Sequence, residues 1–338
     1  MTMKKHIVLY KVVQPDVLAL LKENCEVAEF DGLDAATRPD FLAALAQARG
    51  LIGMYGRIDA AFIARAPLLQ VVSTVSVGYD AIDLDALNAR GILLCNTPEV
   101  LTETTADTAF MLILGVARRV AELAQWLKDG HWQRPVGAQQ YGTDVHGKTL
   151  GIVGMGRIGT AVARRAALGF GMRVLYTARS PRPEADAGLG AQRRELDTLL
   201  RESDFVCVLA PLTAQTRHLI GAAELARMKP GAFLINAARG AIVDEQALIA
   251  ALRRGQIAGA GLDVFEQEPL AVDSPLLAMP NVLALPHIGS ATRETRHAME
   301  LCAAHNLIDA LAGRRPKYLV NPQVFTTSPR RSDIPSPR

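Results

Sequence analysis

The residues best suited to chemistry include the run Gly154-Met155-Gly156-Arg157-Ile158-Gly159. It follows the apolar stretch Leu150-Gly151-Ile152-Val153 and precedes residues 160–170, rich in Ala and Arg with Val162 and Leu168 at helical spacing. A second apolar run, Met172-Arg173-Val174-Leu175-Tyr176, comes next. The order reads strand, glycine turn, helix, strand, with glycines spaced G-x-G-x-x-G. The first glycine permits the tight turn, the second lets the backbone approach a pyrophosphate, and the third lets the helix pack close to the strand. Backbone N–H groups, including those of Arg157 and Ile158, and the helix dipole then face the anion. A glycine turn that binds nothing is the plain alternative, and the flanking strands argue against it.

The end of the second strand decides which dinucleotide would bind. An NAD-binding unit usually carries Asp or Glu about 20 residues beyond the turn, for the ribose 2′-hydroxyl. Here the place reads Tyr176-Thr177-Ala178-Arg179-Ser180-Pro181-Arg182, without a carboxylate. Glu184 and Asp186 come only after two prolines. Arg179 and Arg182 can fork onto a phosphate and Ser180 can donate to it, while the missing acid removes repulsion against a 2′-phosphate. The residues therefore point to NADP (NADPH), with NAD the weaker ligand; a solvated basic loop is the alternative.

Three further polar side chains follow apolar strands, where ligands of open α/β sheets bind. Arg239 follows Ala232-Phe233-Leu234-Ile235-Asn236, Glu268 follows Gly259-Ala260-Gly261-Leu262-Asp263, and His287 follows Val282-Leu283-Ala284-Leu285. Singly, each has an ordinary reading: a loop arginine, a surface charge, one satisfied histidine among seven.

The elements that must position these groups are short strands alternating with helices, which imply parallel sheets covered on both faces. Before the fingerprint, strands are expected at residues 7–10, 25–30, 50–53, 69–74 and 92–95, and helices at 15–23, 38–48, 58–66 and 83–89. A single long helix is expected over residues 101–127, then an irregular loop at 129–146. Beyond the fingerprint, a strand is read at residues 205–209, and helices at 224–228, 245–253 and 292–312. The tail from Thr326, rich in Ser, Pro and Arg, reads as disordered.

A chain of 338 residues is long for one domain, so two are expected. The net charge of +3 and the scattered arginines give no basic patch for nucleic acid, and no apolar run suits a membrane span or a signal peptide. Cys25, Cys95, Cys207 and Cys302 lack metal-ligand spacing and read as thiols in a reducing cytoplasm.

Taken together, the fingerprint with Arg157-Ile158, the Asn236-to-Gly240 turn, residues 261–269 and residues 286–292 make a specific series. Over residues 7–325 the chain resembles the D-isomer-specific 2-hydroxyacid dehydrogenases. Residues 73–80 and 101–119 resemble the glyoxylate/hydroxypyruvate reductase and 2-ketogluconate reductase branch, and the Arg179–Arg182 loop resembles its NADP-using members. The resemblance implies two Rossmann-like or flavodoxin-like parallel-sheet domains with an active-site cleft between them. Residues 1–98 with 290–325 would form a discontinuous substrate-binding domain, residues 99–289 the NAD(P)-binding Rossmann domain, and 326–338 the tail.

The roles it implies are specific. Arg239 would bind the substrate carboxylate and polarise its keto oxygen, as a planar guanidinium suits. His287 would be the general acid in reduction and base in oxidation, with Glu268 beside it favouring the imidazolium. Asp263 would touch the nicotinamide end. Leu101, Thr105, Pro211, Thr216 and Ala237 would line the cofactor, and the backbone amides of Val77 and Gly78, with Ser290, would meet the substrate. No metal is implied, since hydride transfer is the cofactor's chemistry. The substrate would be a small 2-keto acid: glyoxylate, hydroxypyruvate or 2-ketogluconate. A homodimer through the cofactor domain is expected, with residues 129–146 reaching across. The alternatives are a dehydrogenase for phosphoglycerate or formate, and a cofactor-sensing corepressor scaffold on the same fold.

Overall fold

The computed structural model describes residues 3–33 and 38–327. By internal contacts these separate into two compact units, one running to Leu101 and resuming at Thr292, the other Thr102–Ala291.

The first unit opens with β1 (Lys5–Tyr10), α1 (Pro15–Asn24), β2 (Cys25–Glu29), α2 (Pro39–Gln47), β3 (Gly50–Gly53), α3 (Ala60–Ala64), β4 (Val71–Thr74), α4 (Leu84–Ala89) and β5 (Leu93–Cys95). Pro15 and Pro39 open α1 and α2, where a missing N–H is harmless. Asp59 and Asp83 cap α3 and α4 by accepting from the N–H groups of Phe62 and Ala86, both at 2.9 Å. The five strands are parallel in the order β2-β1-β3-β4-β5, the flavodoxin-like order. The central strands β3 and β4 are buried throughout, which is why they read as unbroken apolar runs rather than alternating ones.

The second unit begins with α5 (Thr102–Ala117) and α6 (Val120–Lys128). Here the structure corrects the single helix expected over 101–127. Arg119 takes a left-handed φ of 54°. The Ala117 carbonyl accepts from the Thr143 N–H at 2.8 Å. The Arg119 guanidinium turns onto Glu122 at 2.6 and 2.8 Å. After the loop come β6 (Thr149–Val153), α7 (Arg157–Arg164), a π turn at Arg165–Gly169, β7 (Arg173–Thr177), α8 (Pro183–Leu189), β8 (Gln192–Arg193) and α9 (Leu196–Glu202). The sequence reading placed no element between β7 and the next strand, so α8, β8 and α9 are additions. The unit closes with β9 (Phe205–Val208), α10 (Ala222–Leu225), β10 (Phe233–Asn236), α11 (Glu245–Arg253), β11 (Gly259–Leu262) and β12 (Val282–Ala284).

Its seven parallel strands run β12-β11-β10-β9-β6-β7-β8. That is the Rossmann order extended by one strand, and the chain reverses direction across the sheet between β6 and β9. Register brings the carboxyl ends level: Val153 pairs with Thr177 and Val208, Asn236 with Val208 and Leu262, and Leu262 with Ala284. Every loop that follows these residues therefore starts from one edge.

The chain then returns to the first unit as α12 (Arg293–Leu311) and α13 (Pro322–Thr327). Helix α12 lies on β3 and β4, with the Ser73 hydroxyl donating to the Ala303 carbonyl at 2.8 Å. Thr326 and Thr327 belong to α13 and so depart from the expected tail; residues 328–338 lie outside the described residues. Buried Asn321 ties this return to the sheet. Its Oδ1 accepts from the Leu94 N–H at 2.8 Å and its Nδ2 donates to the Ile92 carbonyl at 2.9 Å. Asn321→Ala should cost about 2–4 kcal/mol, because it leaves two buried backbone groups unpaired. Urea unfolding followed by circular dichroism measures this, and an unchanged midpoint would refute it.

Candidate active site

Asp263 directly follows β11 as a buried carboxylate. Its oxygens accept from the Ile288 N–H at 2.7 Å and the Gly289 N–H at 2.8 Å. Burial pushes this carboxyl up, and the two N–H groups only partly oppose the shift. The pairing fixes the backbone just after His287, whose φ of 54° is left-handed and uncommon for a residue with a side chain. His287 Nδ1 lies 2.7 Å from Glu268 Oε2. The other oxygen of Glu268 accepts from the Phe265 N–H at 3.0 Å. Burial alone would raise the Glu268 carboxyl. The hydrogen bonds from His287 and Phe265, with the charges of His287 and Arg239, outweigh that and hold it below the ordinary glutamate range.

Arg239 sits on the turn after β10, half-buried. Buried Asn236 shapes the turn from both sides: its Nδ2 donates to the Arg239 carbonyl at 2.9 Å and its Oδ1 accepts from the Ala238 N–H at 3.1 Å. Gly240 explains why the turn can meet the Glu268 loop. A Cβ there would fall 1.8 Å from the Phe265 carbonyl carbon and 2.3 Å from the Glu266 nitrogen. Arg239, Asp263, Glu268 and His287 thus come together from three strand ends. Asn236 and Gly240 were visible only as part of the Asn236-to-Gly240 motif; their bracing function depends on contacts across loops.

The fingerprint glycines differ in their surroundings. Gly154 has φ 106°, and a Cβ on it would meet the Ala210 nitrogen at 2.5 Å. A Cβ on Gly159 would meet the Gly154 carbonyl oxygen at 2.5 Å, so the start of α7 packs close to the turn. Around Gly156 no heavy atom would lie within 4 Å of a Cβ, which leaves room for a pyrophosphate against the backbone beside Arg157 and Ile158. The residues present therefore fit a dinucleotide.

Arg179, Ser180 and Arg182 are exposed beyond β7. The turn has two supports absent from the sequence reading. The Tyr176 hydroxyl accepts from the Arg182 N–H at 2.9 Å. Arg193, on β8, donates from Nε and Nη2 to the Ala178 carbonyl at 3.2 and 3.0 Å. A basic residue paired with the strand end was the available signal for Arg193, but β8 itself was not recognised.

Thr105, on α5, lies near the His287 loop: a Cβ on Gly289 would be 3.3 Å from its methyl group. Ala237 follows β10 and is buried, and Ser290 is half-buried three residues before the start of α12. Thr216 Oγ1 donates to the Pro211 carbonyl at 2.7 Å and accepts from the Thr213 N–H at 2.8 Å, closing the turn after β9. Val77, Gly78 and Leu101 belong to the first unit. There the Val77 carbonyl accepts from Asn96 Nδ2 at 2.9 Å, and the Gly78 carbonyl from the Ser76 hydroxyl at 2.7 Å.

A Rossmann sheet with a glycine cradle at its switch point and an Arg–Glu–His group beside it defines a nucleotide-dependent oxidoreductase. Residues 110–289 match the model for the D-isomer specific 2-hydroxyacid dehydrogenase, NAD binding domain. The chain is 57% identical over 323 residues to glyoxylate/hydroxypyruvate reductase B of Yersinia enterocolitica, covering 96% of this chain and 99% of that one. It is 56% identical over 322 residues to the Klebsiella pneumoniae protein of the same name, covering 95% and 100%. Among solved structures, a Sinorhizobium meliloti NADPH-dependent glyoxylate/hydroxypyruvate reductase, in complex with NADP and malonate, superposes with a TM-score of 0.84 at 36% identity. The match covers 94% of this chain and 97% of that one. A Thermus thermophilus protein superposes with 0.85 at 45%, covering 93% and 99%. The chain belongs to the D-isomer-specific 2-hydroxyacid dehydrogenase family and is an oxidoreductase acting on CH–OH donors.

The low-lying Glu268 carboxyl has a consequence for stability. A depressed carboxyl contributes stability above its unfolded value and loses it as pH falls through the folded one. Wild type should therefore melt above Glu268→Gln at neutral pH, and the gap should close as pH drops from about 7 to about 3. Thermal melts of both proteins across that range check it; a gap that widened toward acid would contradict the assignment.

Proposed function

We propose that the protein reduces small 2-keto acids, glyoxylate and hydroxypyruvate foremost, to the D-2-hydroxy acids with NADPH. The observation that carries this reading is the convergence of Arg239, Glu268 and His287 beside the nucleotide cradle, supported by the names of the relatives. A nicotinamide dinucleotide held at Gly154, Gly156 and Gly159 would supply hydride for the keto carbon. Arg239 holds the substrate carboxylate through paired hydrogen bonds and draws charge from the keto oxygen. With Nδ1 engaged by Glu268, His287 gives the proton on Nε2 to that oxygen as the carbonyl becomes a hydroxyl. The reverse reaction returns the proton to the same nitrogen. In the first unit, the N–H groups of Val77 and Gly78 suit a carboxylate, and Leu101 suits the cofactor's apolar edge.

NADPH is preferred because Arg179, Ser180 and Arg182 offer cations and a hydroxyl where an acid would otherwise stand. The Tyr176 and Arg193 contacts hold that turn in shape. The assay is loss of reduced-nicotinamide absorbance with NADPH or NADH against glyoxylate, hydroxypyruvate and 2-ketogluconate. Faster turnover with NADPH is expected, and Arg179→Asp should lower the NADPH-to-NADH ratio of kcat/KM by about 10- to 100-fold, the scale of one charge-assisted phosphate contact replaced by repulsion. Equal ratios in wild type and variant would remove the NADP assignment, and no turnover with any of the acids would remove the substrate assignment.

The enzyme also works as a homodimer in this reading. Helix α6 buries none of its residues, yet it forms a groove with α5 lined by Phe110, Met111, Leu114, Val120, Leu123 and Leu127. Val120 and Leu127 are 53% and 51% exposed, more apolar surface than a lone helix face should leave in water. Residues 129–146 follow directly and add exposed Trp132, Val136 and Tyr141. Sedimentation at micromolar concentration should show a dimer that Leu127→Glu converts to monomer; a monomeric wild type would end this part. Four cysteines that are all free thiols suit a reducing cytoplasm. Among the described residues no helix is long and apolar enough to cross a membrane.

A further inference from the structure

We propose that His218 and Glu266 form a positioning pair that holds the loop carrying Glu268 for the acid–base step. Among the described residues five without the freedom of glycine take a left-handed φ, and two of them are histidines: His287 and His218, the latter at 51°. Each ring meets a glutamate of the same short loop, His287 that of Glu268 and His218, through Nε2, that of Glu266. Held backbone strain of this kind persists where surrounding contacts over-determine it.

The contacts around Glu266 come from three strand ends. Segment 218–220, after β9, runs beside the segment after Arg239: the His218 N–H donates to the Ala241 carbonyl at 2.9 Å, Ile220 N–H to Ile242 at 3.1 Å, and Asp244 N–H to Ile220 at 3.0 Å. From β11, the Glu266 N–H donates to Glu245 Oε2 at 3.2 Å, and Gly240 packs directly on the Phe265–Glu266 peptide. The neighbouring N–H, that of Phe265, is the one that holds Glu268. Without His218, Glu266 loses its ring partner, and the Glu245 bond to its backbone N–H is left to hold the loop. A shift of the loop would pass to Glu268 through the Phe265 peptide and so to His287, without touching the nucleotide cradle. The His218 ring acts on the reacting groups through this loop.

The inference rests on Glu268 and His287 being the acid–base pair, and the test separates the two. In folded His218→Ala and Glu266→Gln proteins, kcat for keto-acid reduction should fall about 10- to 100-fold, the scale of a small misplacement at a reacting centre. NADPH binding, read by fluorescence titration, should stay within about twofold of wild type. His218→Gln, which keeps a donor toward Glu266, should recover most of the loss. The double variant His218→Ala/Glu268→Gln should be no slower than Glu268→Gln alone, because both changes remove one function. Losses that multiply in the double variant, or an unchanged kcat in His218→Ala, would overturn the positioning role while leaving the acid–base pair standing. An unchanged kcat in Glu268→Gln itself would overturn both.

Discussion

The buried carboxylate of Asp263 accepts two backbone N–H groups from the chain that has just passed His287. An acid out of water is costly unless its oxygens are paired, and here the pairing partners are the two amides that a left-handed histidine turns inward. The loop cannot relax to an extended form without leaving Asp263 unpaired. The position of His287, and through it the pairing with Glu268, depends on this bond set. Arg239 reaches the same place by a different route, through Asn236 and the missing Cβ of Gly240.

These loops converge because the strands beneath them end level. Parallel register places Asn236, Leu262 and Ala284 side by side, so residues distant in sequence start their excursions from adjacent points. Close packing of α5 makes the same demand on composition: a Cβ on Gly261 would lie 3.0 Å from Cβ of Leu112, which accounts for the small residues in β11. The site is thus held by rigid strands at one side and by side-chain-to-backbone bonds at the other. That combination suits a reaction in which hydride and proton must arrive at one carbonyl from fixed directions.

Charge is distributed to match. Burial would raise both carboxyls; at Glu268 the hydrogen bonds from His287 and Phe265 outweigh it and hold the carboxyl low, whereas at Asp263 burial dominates and the carboxyl is raised. The two acids, five residues apart, have different work: one faces the imidazole, the other only backbone. At the opposite end of the sheet edge, Tyr176 and Arg193 hold the basic turn from its main chain, leaving side chains of Arg179 and Arg182 at the surface.

Sequence alone determined the glycine cradle and the two parallel sheets, because each is a local pattern: spacing of glycines and apolar runs. The candidate trio of Arg239, Glu268 and His287 rested on the resemblance to a family, since a polar residue just past a run is ordinary by itself. The sequence also showed that residues 176–182, at the end of the second strand, hold no carboxylate. Tertiary structure decided what local patterns cannot hold. The break at Arg119 depends on Thr143 bonding the Ala117 carbonyl, a partner 26 residues away. Helix α8 went unread after Pro181 and Pro183, although Pro183 opens it. The need for glycine at 240 exists only because Phe265 passes against it. The meeting of His218 with Glu266 requires β9, β10 and β11 to lie side by side first. In each case the deciding contact joins segments that only the folded sheet brings within reach.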